Sequence, residues 1–263
     1  MNRNTITYLI LTILAPISTL AATDPVKDLL LYAKAGRIGS VKSVLLSGTG
    51  VNAKNEEGKT ALMGAVEYKN MDSVKYLLSV GADVNAQDKK GVSPFMLATR
   101  MENPALFELL LEQADVNMQA ENGESAFLIA ARNNDQVKMD TLILHGVHVR
   151  QQDKKGFSAI HHLTIPGNQQ AISLILSRGG DLNVENESGI TPLMLASYHG
   201  HVELVQFMVD QGADVKKESK TGITALSNAK LANQEDVIEI LEMKLAALEA
   251  EEQEKAKQKK KKK

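Results

Sequence analysis

The residues best able to do chemistry in this sequence are its six histidines, which fall in close pairs. The pairs are His145 with His148, His161 with His162, and His199 with His201. Imidazole is the commonest metal ligand, so each pair could supply two ligands of a zinc site. Zinc takes three or four ligands at matched spacing, and the chain has no cysteine to complete a pair. We therefore predict no metal site.

Motifs for catalysis are also missing from the sequence. It contains no G-x-S-x-G, no phosphate-binding loop, no H-E-x-x-H and no dinucleotide fingerprint. Carboxylates are plentiful, but residues such as Asp83 and Asp181 occupy turn positions, where Asp bonds to its own backbone. We predict no catalytic residue and no cofactor, and we expect a protein that is not an enzyme.

The elements that hold these residues repeat along the chain. A glycine followed two positions later by Thr or Ser recurs with spacings of 33, 32, 33, 33 and 33 residues. It occurs at Gly58, Gly91, Gly123, Gly156, Gly189 and Gly222. An apolar stretch follows each time, as in Thr60-Ala-Leu-Met-Gly-Ala65 and Thr191-Pro-Leu-Met-Leu-Ala196. The repeated pattern is a variant of T-P-L-H-x-A, which predicts one structural unit per period.

This motif at this period resembles the ankyrin repeat, and the second half of each unit agrees. Segments such as Gly81-Ala-Asp-Val-Asn85 and Gly212-Ala-Asp-Val215 follow paired aliphatic residues. The resemblance covers nearly everything from Asp24 to about Glu242, and with the N-terminal segment described next the chain resembles exported (periplasmic) bacterial ankyrin proteins. It implies an all-α ankyrin-repeat solenoid of helix-turn-helix units with β-hairpin fingers, about seven repeats and a long C-terminal helix.

We divide the chain into five segments. These are a signal peptide (1–22), an N-terminal capping repeat (23–54), five ankyrin repeats (55–218), a C-terminal capping repeat (219–248) and a Glu/Lys-rich tail (249–263). The first segment has a basic start at Arg3, an apolar middle and small residues at its end. It predicts export, to the periplasm in a Gram-negative bacterium, with no integral membrane span after cleavage. An uncleaved anchor or a buried helix remains the alternative.

Each repeated residue has a physical role. The Thr or Ser caps the first helix of its unit, and small residues such as Ala98 and Ala196 let neighbouring units approach closely. Two departures stand out. The third unit is one residue short, so we expect its hairpin to be displaced, and Pro166 predicts that the helix before it stops early.

The charge is divided between the body and the tail. The net charge is −2, and leaving out Arg3 and the seven lysines of the last nine residues gives −10 for the rest. An acidic body disfavours nucleic acid and attracts basic partners. For the Lys tail two interpretations stay open: contact with anionic wall polymers or lipid, or a solvated helix end.

The resemblance implies that a partner binds at the fingertips and at the exposed end of each first helix, which line a concave face. Aromatic, Met and Arg side chains are the usual interface anchors. The candidate partner-binding residues are therefore Tyr68, Arg100, Met101, Arg132, Phe157, Ile165, Tyr198 and His199. For Phe157 and Ile165 packing within the array is the open alternative. The other fingertip residues, Glu124 among them, are expected to be solvated.

These features predict an exported protein-binding module that is monomeric when unbound. Our first hypothesis is that it docks on an envelope enzyme and inhibits or sequesters it, with a peptidoglycan hydrolase or penicillin-binding protein as the first guess and self-protection as the role. One alternative is a scaffold or stabiliser of an exported enzyme, such as an oxidative-stress protein. Another is a secreted effector that binds host proteins.

Overall fold

A computed structural model of the chain describes residues 24–261. The predicted signal peptide, residues 1–22, lies outside the described residues. Within them the chain forms fourteen α-helices and no strand. Isolated antiparallel bridges join Gln119 to Ser125 and Gln152 to Ser158, at the base of two fingers. The predicted all-α repeat architecture is confirmed, with fingers that are turns and bridges instead of extended hairpins.

The helices divide between two compact units, each described by itself. The first unit ends at Lys89. It contains α1 (Pro25–Lys34), α2 (Ile38–Leu46), α3 (Ala61–Glu67) and α4 (Met71–Ser79). Helix α1 packs on α2 and α3, and α3 packs on α4. We call the first helix of each repeat inner and the second outer.

The second unit begins at Lys90 and contains ten of the helices among the described residues. These are α5 (Pro94–Thr99), α6 (Pro104–Leu111), α7 (Ala126–Arg132), α8 (Gln136–Leu144), α9 (Ala159–Thr164), α10 (Gln169–Ser177), α11 (Pro192–His199), α12 (Val202–Asp210), α13 (Ala225–Leu231) and α14 (Glu235–Lys261). Each inner helix, α5, α7, α9 and α11, contacts the next inner helix and its own outer helix. The inner helices therefore form one consecutive stack in this unit.

The inner helices begin where the sequence predicts. The hydroxyl of Thr191 accepts the Met194 N–H at 3.4 Å, and Ser93 accepts the Met96 N–H at 3.2 Å, with Pro as the next residue in both. The predicted small residues, including Ala98 and Ala196, are fully buried. Capping and close packing thus follow the repeated motif.

The short third unit keeps its finger in register, so the expected displacement of its hairpin is wrong. The Glu121 N–H donates to the Lys90 carbonyl at 2.8 Å, as Lys154 donates to Asn122 at 2.8 Å in the next finger. The turn after α6 absorbs the missing residue instead. There the Ala114 N–H bonds to Leu111, three residues back, at 3.2 Å.

Two further predictions concern helix ends. Helix α9 ends at Thr164, before Pro166, as the sequence predicts. Gly167 follows with φ of 73° and lets the chain reverse. Helix α14 runs for 27 residues through the predicted boundary at 248, with Val237 and Leu241 buried against the preceding helices.

Among residues 24–261 no helix is long and apolar enough to span a bilayer.

Candidate functional site

One predicted binding residue, Tyr68, belongs to the first unit. It caps the C-terminal end of α3 and is largely exposed. The Lys34 ammonium lies 5.3 Å from its ring centroid, within the range of a cation–π contact. Lys34 also lies 4.0 Å from Glu67, so Tyr68 stands beside an ion pair.

The other seven predicted residues lie in the second unit, and two of them form a charged cluster. Arg100 follows α5 and Arg132 ends α7. Both guanidinium groups donate to the carboxylate of Glu124, one to each oxygen. Glu124 is only 6% exposed, while both arginines reach the surface. The structure therefore brings these three residues together, and the prediction that Glu124 is solvated is wrong.

The cluster holds Glu124 in its charged form. Burial alone would raise the pKa of this carboxyl. The hydrogen bonds and positive charges of Arg100 and Arg132 together outweigh burial, and the pKa of Glu124 lies below its ordinary value. Two guanidinium groups against one carboxylate leave the cluster with a net positive charge.

The cluster borders a pocket of about 310 Å³. Arg132, Lys154 and Lys155 contribute positive charge to its lining, and Glu124 and Asp153 contribute negative charge. The lysines are exposed on the neighbouring fingertip. The Asp153 carboxylate accepts the Lys155 N–H at 2.9 Å and so shapes that fingertip. The pocket is positively charged and open to a ligand from solvent.

Beyond the pocket the inner-helix ends change from charged to apolar. Ile165, Tyr198 and Leu231 follow Arg132 at successive intervals of 33 residues. Their exposed fractions are 48%, 46% and 73%. Because α7, α9, α11 and α13 contact one another in order, these side chains occupy the same place on successive layers. We call Ile165, Tyr198 and Leu231 the apolar row.

The remaining candidates lie beside these features. Phe157 is half-buried, and its ring lies 5.8 Å from that of His162 and 5.6 Å from that of His161, which favours the packing alternative. Met101 is half-buried in the turn after α5. His199 is exposed, with its ring edge-on to Tyr198 at 5.4 Å, next to the apolar row.

Two histidines of the second unit make structural hydrogen bonds. The Nε2 atom of His161 donates to the Ile190 carbonyl at 2.9 Å, and that of His201 donates to the Ile165 carbonyl at 2.9 Å. Burial lowers the pKa of both His161 and His162, which keeps these rings neutral. Residues 24–261 contain no group of three or more His, Cys, Asp or Glu side chains placed to hold a metal ion.

Three important residues were missing from the sequence prediction. Leu231 could have been found by counting 33 residues on from Tyr198. Glu124 gives no such signal, because its burial depends on an arginine 24 residues away. Lys138 is buried as well, and its ammonium bonds the carbonyls of Thr99 and Met101 at 3.1 and 2.8 Å. Only the fold brings that lysine to the end of α5.

Comparison with known proteins agrees with this architecture. A family model for ankyrin repeats matches in three copies, over residues 29–120, 95–186 and 166–250. The chain is 31% identical to an ankyrin repeat domain from Acinetobacter baumannii AYE, with a TM-score of 0.63 over 71% of this chain and 98% of that one. It is 25% identical to the ankyrin repeat domain of Bcl-3, described as a unique member of the IkappaB protein family, with a TM-score of 0.68 over 82% of this chain and 97% of that one. No curated protein matches the sequence.

Proposed function

Because the chain belongs to the ankyrin-repeat family, whose repeats are protein–protein interaction modules, we propose that its second unit binds another protein at the inner-helix ends. The apolar row is the observation that carries this proposal. Exposed apolar side chains at one place on three successive layers are unusual for a surface that stays in water. Burying each of them against a partner is worth up to about 1.5–3 kcal/mol.

The neighbouring charged cluster gives this surface polar anchors. Arginine is enriched where interfaces contribute most to binding, and Arg100 and Arg132 are already held in place by Glu124. A side chain that is fixed before binding loses less entropy when the partner arrives. The edge-on contact between the rings of Tyr198 and His199 likewise restricts both side chains before binding.

We further propose that the partner is an exported envelope enzyme and that binding inhibits or sequesters it. The expected signal peptide supports the compartment, and the charge of −10 without Arg3 and the Lys tail favours a basic, wall-seeking protein. A peptidoglycan hydrolase or a penicillin-binding protein is the first choice, with self-protection as the result.

A pull-down from periplasmic extract tests the binding proposal. The chain lacking residues 1–22 is compared with Tyr198→Ala, with Tyr68→Ala and with Leu144→Ala as the control. Leu144 is exposed on the outer helix α8. We expect Tyr198→Ala to lose the captured protein and Leu144→Ala to keep it. Equal capture by Tyr198→Ala and Leu144→Ala would contradict the proposal that the inner-helix ends bind the partner.

The inhibition proposal needs a separate assay. The captured enzyme is mixed with increasing amounts of the chain, and the release of labelled peptidoglycan fragments is followed. A fall in rate at a one-to-one ratio supports inhibition. A rise in rate or in thermal lifetime would instead favour the scaffold or stabiliser. Recovery of the protein from culture medium and not from the periplasm would favour the secreted effector.

A further inference from the structure

The positions 132, 165, 198 and 231 form one line along the second unit, and their chemistry changes once. Arg132 stands at the first position, and the apolar row occupies the other three. The positive pocket lies at the arginine end of the line. A ligand that covers the whole line must therefore differ in chemistry from one end to the other.

We propose that this line receives one extended segment of the partner protein, which places an acidic side chain in the pocket and apolar side chains on Ile165, Tyr198 and Leu231. The inference rests on the proposed function and adds the chemistry of the bound segment. It assigns one partner group to each of four successive layers.

The acidic group follows from the charge of the pocket. Arg132, Lys154 and Lys155 outnumber the carboxylates of Glu124 and Asp153 in its lining. Glu124 accepts from Nη1 of Arg132, and the guanidinium has five N–H donors in all. Half of the Arg132 side chain is exposed. A carboxylate from outside can thus pair with Arg132 without displacing Glu124.

His162 does not oppose this binding. Burial lowers the pKa of His162, the Asp153 and Glu124 charges act to raise it, and Arg132 acts to lower it further. The net effect leaves a neutral ring in the pocket wall at neutral pH. The positive charge offered to a ligand therefore comes from the arginine and the two lysines.

The spacing of the apolar groups follows from the stacking of the inner helices. Helices in contact lie about 8–10 Å apart, and α7, α9, α11 and α13 are in contact in sequence. A bound chain in the polyproline II conformation has three residues per turn and advances about 3.1 Å per residue, so every third side chain lies on the same face, about one layer further on. The bound segment should therefore repeat its contacts at every third residue.

Synthetic peptides provide the probe. The test peptide is a labelled ten-residue chain with Asp first, Leu at the fourth, seventh and tenth positions and Ser elsewhere, together with the same peptide in reverse order. Matched peptides replace Asp by Asn, or move the leucines to every second residue. Binding to the full chain is followed by fluorescence anisotropy. We expect the test peptide to bind saturably in one of its two orders. Relative to that peptide, the Asn form should bind about fivefold more weakly, and the form with leucines at every second residue about tenfold more weakly.

Variants locate the two contacts. In Arg132→Gln the preference for the Asp over the Asn peptide should shrink, because the direct partner of the carboxylate has been removed while Lys154 and Lys155 remain. Glu124 keeps Arg100 in this variant. Lys220→Gln is the control, since Lys220 is exposed at the fingertip position that matches Lys154. Tyr198→Ala should weaken every spaced peptide by about tenfold and leave the ratio of Asp to Asn unchanged.

The possible outcomes separate the inference from the proposed function. Absence of binding in both orders, equal binding of the Asp and Asn peptides, or an unchanged ratio in Arg132→Gln would each overturn the inference. Binding that depends on charge alone, seen as equal affinity for the respaced peptide, would also overturn it. The pull-down with Tyr198→Ala judges the proposed function independently, so protein binding can hold while the segment chemistry fails.

Discussion

Arg132 at the end of α7 donates to the carboxylate of Glu124, the residue just before the cap of the same helix. In the first unit the equivalent positions hold the opposite charges, with Glu67 at the helix end and Lys59 before the cap, 2.6 Å apart. Two repeats therefore join these two positions by an ion pair, with opposite polarity. In the second unit a further arginine, Arg100, makes the pair a positive cluster.

Glu124→Gln should destabilise the second unit. The change removes the anion that two arginines share in a nearly dry place, and we expect a loss of about 1–2 kcal/mol in the free energy of unfolding. Urea denaturation measures it. Glu185→Gln is the control, because its pair with Lys217 at 2.6 Å is more exposed and should be worth less than about 1 kcal/mol. Equal losses would contradict the special role of the cluster.

The difference in stability between the wild type and Glu124→Gln should depend on pH. Since the pKa of Glu124 is lowered in the native protein, its contribution is fully present above the ordinary carboxyl pKa of about 4.3. It is lost as the pH falls through the lowered native value. The gap between the wild type and Glu124→Gln should therefore be constant from pH 7 to 5 and shrink below pH 4. A gap that persists into acid would show that the carboxylate charge is not responsible.

His161 and His162 should make the fold sensitive to mild acid. Burial lowers the pKa of both native rings, so below the ordinary value of about 6.5 the unfolded chain binds protons that the native chain does not. Stability should be greatest above pH 6.5 and fall as the pH drops towards the lowered values. Denaturation between pH 7.5 and 5 measures the slope, and His161→Gln with His162→Gln should flatten it. An unchanged slope would assign the effect to other groups.

Lys138→Met should be among the more costly single changes in the second unit. The ammonium of Lys138 joins the end of α5 to α8, and it pairs with Asp135 at 2.8 Å. Removing it takes one hydrogen bond from each of the two carbonyls and the ion pair from Oδ2 of Asp135, at a cost of about 2–4 kcal/mol. Lys220→Met, on an exposed fingertip, should change the free energy of unfolding by less than about 0.5 kcal/mol. Thermal or urea denaturation of both variants decides the point.

Two glycines with the same φ allow the cost of backbone strain to be measured separately from the cost of a close contact. Gly156 and Gly146 both have φ of 77°. A Cβ at Gly156 would lie 2.7 Å from backbone atoms of Asn186 and Glu187, while at Gly146 nothing lies within 4 Å. Gly146→Ala should cost about 1 kcal/mol from strain alone, and Gly156→Ala about 1–3 kcal/mol more. Equal costs would show that the close approach of Gly156 to the backbone of Asn186 and Glu187 adds nothing to the loss of stability.

The sequence determines the repeated part of this molecule because each repeated residue has a local role. Thr191 and Pro192 fix where a helix begins, and Gly156 fixes a turn, without help from distant residues. The burial of Glu124 and Lys138 could not be predicted in this way. Besides a nearby ion-pair partner, each has a partner at least 24 residues away that only the stacking of repeats brings near. The missing residue of the third unit likewise had a local solution, in the turn after α6, that spacing alone does not reveal.

The claim that the inner-helix ends bind the partner is tested most directly by site-specific crosslinking in the periplasm. A photoreactive phenylalanine replaces Tyr198, Leu231 or Leu144 in separate chains. Leu231 and Leu144 have similar exposed fractions, 73% and 76%, on an inner and an outer helix. We predict one crosslinked product of the same mass from positions 198 and 231 and none from position 144. A product from position 144 alone would place the partner on the outer helices and contradict this account.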